Sequence, residues 1–188
     1  RTAKKGQVTT MRKEDWKRKV VDAIEKRAGE LQEIGETILH HPELGFKEVK
    51  TAGLVEEKYR SLGLPYQNGL AVTGVKAHLQ GRSRKIHLAI MGELDSILVP
   101  SHPFADPLTG AAHACGHHAS IAGMLGAGMG LIDSGVMGEL DGDVSLMAVP
   151  AEELVELEYR NRLRREGRID FLAGKQEFIR LGLLDGVD

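Results

Sequence analysis

An α/β domain with a mixed, mostly parallel sheet flanked by helices is what the sequence predicts, on three observations. Two short, nearly continuous apolar runs, residues 86–91 and 144–149, have the composition of strands buried on both faces. Stretches with apolar residues at helical spacing lie before and between them. An alternating run at residues 75–79 is joined to the first apolar run by a short turn, which predicts that part of the sheet is antiparallel.

The elements follow in order. Val21, Ile24, Ala28, Leu31, Ile34 and Ile38 form an apolar stripe that predicts one amphipathic helix over residues 14–40, stopped by Pro42. Phe46, Val49, Ala52, Val55, Tyr59 and Leu62 predict a second helix ending at Gly63, with Pro65 beyond. Val75, Ala77 and Leu79 alternate with Lys76 and His78, a half-buried strand that ends at Gly81, Arg82 and Ser83. Residues 86–91 predict a central strand that delivers Glu93 and Asp95 at its C-terminal end. A polar, proline-rich loop leads to His113, and a helix of small residues is expected over residues 120–132. Residues 144–149 predict another buried strand, cut off by Pro150, which delivers Glu152 and Glu153. The charged residues 156–170 predict a solvated helix or loop, and residues 174–184 a last helix.

The 188 residues suffice for one domain with a sizeable core. Lys plus Arg number 25 and Asp plus Glu 27, so the formal charge is 25 − 27 = −2 and the electrostatic footprint of a nucleic-acid or anionic-membrane binder is missing. No apolar run approaches the roughly 18 residues of a membrane span. The basic opening, RTAKKGQVTTMRKED, is not followed by the apolar stretch of a secretory signal. A single cysteine closes no intramolecular disulfide, so a cytoplasmic location is expected. Residues 1–12 are expected to be a flexible extension, with Met11 a candidate natural start.

Chemistry concentrates in three places. In HACGHH, residues 113–118, Cys115 and His117 stand two apart; in an extended segment both project to one side, where a thiolate and an imidazole can share a metal. The alternative is a buried cysteine beside loop histidines, and Gly116 favours the functional reading by permitting a tight backbone path. Glu152 and Glu153 follow a buried strand; adjacent residues of an extended chain face opposite ways, so one carboxylate can bind metal while the other acts as general base. Glu93 and Asp95 stand two apart at the end of another strand, and crevices at strand C-termini are where open α/β sheets bind ligands. The run Gly123, Gly126, Gly128, Gly130 matches no phosphate-loop pattern and is better explained by close helix packing. His40 and His41, before Pro42, are expected to end a helix rather than to bind metal.

Taken in order, HHPELGF (40–46), GELDS (92–96), HACGHH (113–118) and VPAEE (149–153) resemble the N-terminal half of the aminoacylase-type metallopeptidases and amidohydrolases. The resemblance is to the branch of indole-acetyl-amino-acid, hippurate and p-aminobenzoyl-glutamate hydrolases, over roughly residues 13–188. It implies an incomplete co-catalytic metallopeptidase-like domain, with Cys115, His117 and Glu153 as metal ligands, Glu152 as general base and Asp95 orienting a ligand. The implied reaction is hydrolysis of the amide of an N-acyl or N-aroyl amino acid, or of a small peptide-like substrate. A metal-activated water would attack, with Zn²⁺ or Mn²⁺ as the metal and two ions per complete site.

The sequence also departs from that family. His118 replaces the usual Asp or Asn, and is either an additional donor or a harmless replacement. LVELEYRNRLRREGRID replaces the glycines that commonly follow the acidic pair. The family's further histidine ligands and its lid and dimerisation domain would come after residue 188. The chain is therefore expected to be a fragment, inactive alone, of a protein that forms a homo-oligomer when whole. The competing reading is a non-catalytic interaction or regulatory module that keeps the hydrolase fold.

Overall fold

The computed structural model describes residues 13–188; the extension expected at residues 1–12, with Met11, lies outside the described residues. The expected first helix is two, α1 (Lys13–Lys26) and α2 (Ala28–Leu39). Between them Arg27 leaves helical geometry (φ −97°, ψ 4°), and its guanidinium binds Asp133 at 2.7 Å and Glu30 at 2.8 Å. The apolar stripe could not reveal this break, because both halves bury the same face. Helix α3 (Val49–Ser61) starts later than expected, since Phe46 turns the chain with a φ of +62°.

Four strands form the main sheet: β1 (Tyr66–Leu70), β2 (Gly74–Leu79), β3 (Ile86–Glu93) and, after two short strands β4 (Ile97–Leu98) and β5 (Ala111–Ala112), β6 (Gly142–Val149). The order is β1-β2-β6-β3, with β2 antiparallel to both β1 and β6, and β3 parallel to β6. The sheet is thus mixed, as expected, but not mostly parallel: two of its three pairings are antiparallel, and β2 does not pair with β3 because β6 is inserted between them. Strand β1, YQNGL, escaped the sequence reading because only its two ends are even half-buried.

Strand β6 is the central one. Leu146 and Ala148 join the larger core with Ile34, Val55, Tyr59, Val75 and Leu125, while Met147 and Val149 point to the other face beside Phe178. Residues two apart share a face, so burial on both sides produces a run apolar throughout. Strand β3, expected to be central, is an edge strand among the described residues, with Ile86 and Leu88 about half exposed (52% and 53%). Its apolar run marks faces that favour burial and does not say what covers them. The last residue, Asp188, donates its N–H to the His87 carbonyl at 2.9 Å on this edge.

Helix α4 (His117–Asp133) lies against the sheet, with α1 and α2 on top of it. Its glycines permit this: a Cβ on Gly126 would stand 3.0 Å from Leu31, and one on Gly128 or Gly130 would overlap Leu146 or Ile24. Gly123 has open space, so close packing explains the other three only. A 3₁₀ turn (Val136–Glu139) leads to β6, and helices α5 (Leu157–Arg165) and α6 (Gly174–Arg180) follow it. No helix among the described residues is long and apolar enough to cross a membrane.

Candidate metal and catalytic site

Parallel pairing sets Glu93 opposite Val149, so β3 and β6 end together and release Asp95 and the 150–153 segment at one edge. The N-terminus of α4 arrives at the same edge, started by Gly116 at a φ of +88°, which an L side chain rarely adopts. His117 is therefore the first residue of a helix and Cys115 lies in the turn before it. The extended geometry expected for the Cys-Gly-His triplet is not the one adopted.

His117 is oriented through its Nδ1, which donates to the Asp95 carbonyl at 2.8 Å. That leaves Nε2 directed at the acidic pair, 4.0 Å from Glu152 Oε2 and 3.9 Å from Glu153 Oε1. One donor atom from each of His117, Glu152 and Glu153 lies within 4.8 Å of the others, compact enough to surround an ion. The thiol of Cys115, exposed at the rim, hydrogen-bonds to Glu153. That bond, with burial and the neighbouring carboxylates, pushes the thiol up to about 11. Burial opposes the charge on His117, but its contacts with Asp95 and the charge of Glu93 outweigh it and raise the imidazole to about 9. The three grouped donors, an imidazole whose other nitrogen is held by a carbonyl and two carboxylates, fit a divalent metal; Cys115, expected as a ligand, is not one of the three.

Both carboxylates reach the same imidazole nitrogen, which corrects the expectation that Glu152 and Glu153 face opposite ways. The segment is not extended, because Ala151 has a φ of +53° and Glu156 one of +49°. Four backbone hydrogen bonds hold this bend. The Ala151 N–H donates to Glu48 Oε1 (2.8 Å) and the Glu153 N–H to Asp95 Oδ2 (2.9 Å). The Ala151 carbonyl accepts from Arg160 Nη1 (3.1 Å), and the Glu153 carbonyl accepts from Arg160 Nη2.

Glu48, Asp95 and Arg160 are fully buried. Burial pushes the Glu48 carboxyl up to about 7, although Thr73 donates to it at 2.5 Å. Arg160 corrects the expectation of a solvated charged run, since composition registers charge but not where a helix lands. Asp95 Oδ1, 3.4 Å from His117 Nδ1, is otherwise without a hydrogen-bond partner among the described residues.

Glu93 lies farther out. Burial works against its charge, but Lys175 at 2.9 Å and the Ser120 hydroxyl at 3.0 Å hold its carboxyl below the usual range. Lys175 also stands 3.8 Å from Glu152 Oε1. Neither Lys175, Arg160 nor Glu48 was legible as a site residue, because each comes from a separate element that only folding brings here. His118 packs its ring against His113 (5.7 Å between centroids) and is not among the three grouped donors. His40 and His41 end α2, as expected, with His41 Nδ1 2.8 Å from the Thr37 carbonyl.

No family model matches the chain. It is 28% identical over 179 residues to thermostable carboxypeptidase 1 of Saccharolobus solfataricus, covering 89% of this chain and 41% of that protein. It is 31% identical over 151 residues to the N-acyl-L-amino acid amidohydrolase of Geobacillus stearothermophilus, covering 79% of this chain and 36% of the relative. Among solved structures, the YxeP protein of Bacillus subtilis, a dinuclear metal-binding peptidase of the M20 family, superposes with a TM-score of 0.68 at 27% identity. That match covers 89% of this chain and 42% of YxeP. The chain thus spans about two fifths of the length of the curated relatives it matches.

Proposed function

From the premise that this chain belongs to the M20 family of amidohydrolases and peptidases, we propose that it carries the base and part of the metal site of an amide hydrolase. Its substrate would be an N-acyl or N-aroyl amino acid, or a small peptide-like molecule. The observation that supports this reading is the convergence of His117 Nε2 with the Glu152 and Glu153 carboxylates at 4.0 and 3.9 Å.

Cys115, His117 and Glu153 would hold a divalent ion, Zn²⁺ or Mn²⁺, two ions completing the site with ligands from beyond residue 188. When bound, such ions polarise a carbonyl and acidify water. Glu152, with its side chain 38% exposed, is free to take the proton of the attacking water and return it to the leaving amine. Asp95 fixes the ring of His117 and the peptide of Glu153, so the ligand and the base neighbour each other without searching rotamers. Lys175 sets a positive charge beside the Glu152 carboxylate. A cytoplasmic location and a homo-oligomeric whole protein belong to the same reading.

The test is Glu152→Gln in a protein that carries this chain together with the rest of the site, assayed with a panel of N-acyl amino acids. The expected result is a loss of turnover of about 10²-fold to 10⁴-fold with metal content close to that of the unaltered protein. Turnover retained in the Gln variant would put the base elsewhere.

A further inference from the structure

We infer that Arg160 is the positioning residue of the acidic segment: its guanidinium, delivered by the charged run after the Glu152-Glu153 pair, sets the backbone bend that aims both carboxylates at His117.

Arg160 is fully exposed to none of the solvent that its sequence surroundings suggest; its relative exposure is 0%. Nη1 donates to two carbonyls, Ala151 (3.1 Å) and Leu172 (2.7 Å), and Nη2 to a third, that of Glu153. A guanidinium can do this because its donors form a rigid planar fork, whereas an ammonium is a point charge on a flexible stem. Two of those carbonyls flank Glu152. The N–H groups of the same two residues, Ala151 and Glu153, are taken by Glu48 and Asp95. Held at both faces, the segment keeps Ala151 at a φ of +53°, a conformation that costs about 1 kcal/mol or more for a non-glycine residue.

The fit around the guanidinium is built from a distant part of the chain. Gly45, in the HHPELGF motif, lies against both partners: a Cβ there would overlap Arg160 Nη2 and stand 2.9 Å from Ala151 Cα. The Phe46 ring lies 5.4 Å from the Arg160 guanidinium carbon. The motif at residues 40–46 thus supplies no donor to the grouped ion site; it supplies the space in which Arg160 operates. Leu163 and Ile169 pack with Phe46 and Ala151 in a small cluster of their own, which anchors α5 beneath the segment.

The inference rests on the proposed metal site only for one of its three readouts. The experiment compares Arg160→Lys, Gly45→Ala and the unaltered chain by amide hydrogen exchange of residues 151–156, by thermal melting and by Zn²⁺ titration. Lys retains the buried positive charge but not the fork; Ala at 45 retains Arg160 and displaces it. Both variants should speed exchange at the Glu153 amide by at least about tenfold while the amides of β6 stay protected. Zn²⁺ affinity should fall by about 10-fold to 100-fold, the usual effect of removing a group that orients a ligand. If the unaltered chain binds Zn²⁺ too weakly to titrate, as a site that lacks ligands would, the exchange result alone decides the role of Arg160. Unchanged exchange at residues 151–156 in both variants would overturn the inference, as would a loss of protection spread evenly over the whole domain.

Discussion

Asp95 holds Glu153 through its side chain and His117 through its backbone: Oδ2 accepts the Glu153 N–H at 2.9 Å, and the carbonyl accepts from His117 Nδ1 at 2.8 Å. One fully buried residue just past the end of β3 therefore aligns a group from the segment after β6 with one from the start of α4. Asp95→Ala should cost about 1–3 kcal/mol, because the Glu153 N–H is left buried and unpaired. Asp95→Asn, which keeps an acceptor, should cost less. Urea unfolding of the two variants measures the difference; equal stabilities would show that the carboxylate oxygen does not hold the Glu153 peptide.

The ligands proposed above, Cys115, His117 and Glu153, number three, whereas a site of two ions needs about three protein ligands around each. With further ligands expected from outside the chain, the chain alone should bind Zn²⁺ or Mn²⁺ weakly and hydrolyse no N-acyl amino acid. Metal analysis after dialysis and a turnover assay check both points. Tight stoichiometric metal accompanied by hydrolysis would show that the site is complete without additional sequence.

Glu48 should leave a signature in the pH dependence of stability. Its carboxyl is raised by burial from the ordinary 4.5 to about 7, so between these values the folded protein binds a proton that the unfolded chain has released. That contribution is fully present below about 4.5 and is lost as pH rises through about 7. Glu48→Gln has no proton to lose. The stability of the unaltered protein relative to this variant should therefore fall across the window, by at most about 1.4 kcal/mol per pH unit. Parallel stability curves for the two proteins between pH 4 and pH 8 would refute the assignment.

Two glycines of α4 should respond oppositely to the same change. Gly128→Ala forces a methyl group into the space of Leu146 and should destabilise by about 1–3 kcal/mol. Gly123→Ala, where a Cβ meets nothing within 4 Å, should stabilise by about 0.5–1 kcal/mol through helix propensity. Thermal melting of both variants tests the packing account of this glycine run.

The edge strand β3, paired by Asp188 at His87, leaves Ile86 and Leu88 about half exposed, and an apolar edge strand is a template for pairing with another chain. The isolated chain should self-associate with rising concentration, and Leu88→Lys should shift it toward monomer. Sedimentation of both proteins over a concentration series measures this; identical monomeric behaviour would discharge the expectation.

The sequence by itself determined the α/β class, the positions of the two apolar strands and the three polar clusters that the fold gathers at one edge of the sheet. These are local properties: an apolar run of six residues with proline or glycine after it specifies a strand and its end wherever that strand goes. Which strand is central was not local. β3 and β6 have similar runs, and only the pairing order placed β6 between two neighbours and β3 at the edge. The direction of Glu152 and Glu153 was not local either. Alternation along an extended chain sends them apart, whereas hydrogen bonds accepted by Glu48 and Asp95 and donated by Arg160, residues distant from one another in sequence, hold a bend that sends them together. A buried arginine in a run of charges looks like any solvated one until a helix lands on its carbonyls. Burial is a property of the neighbours that folding supplies, and a residue's own chemistry does not contain it.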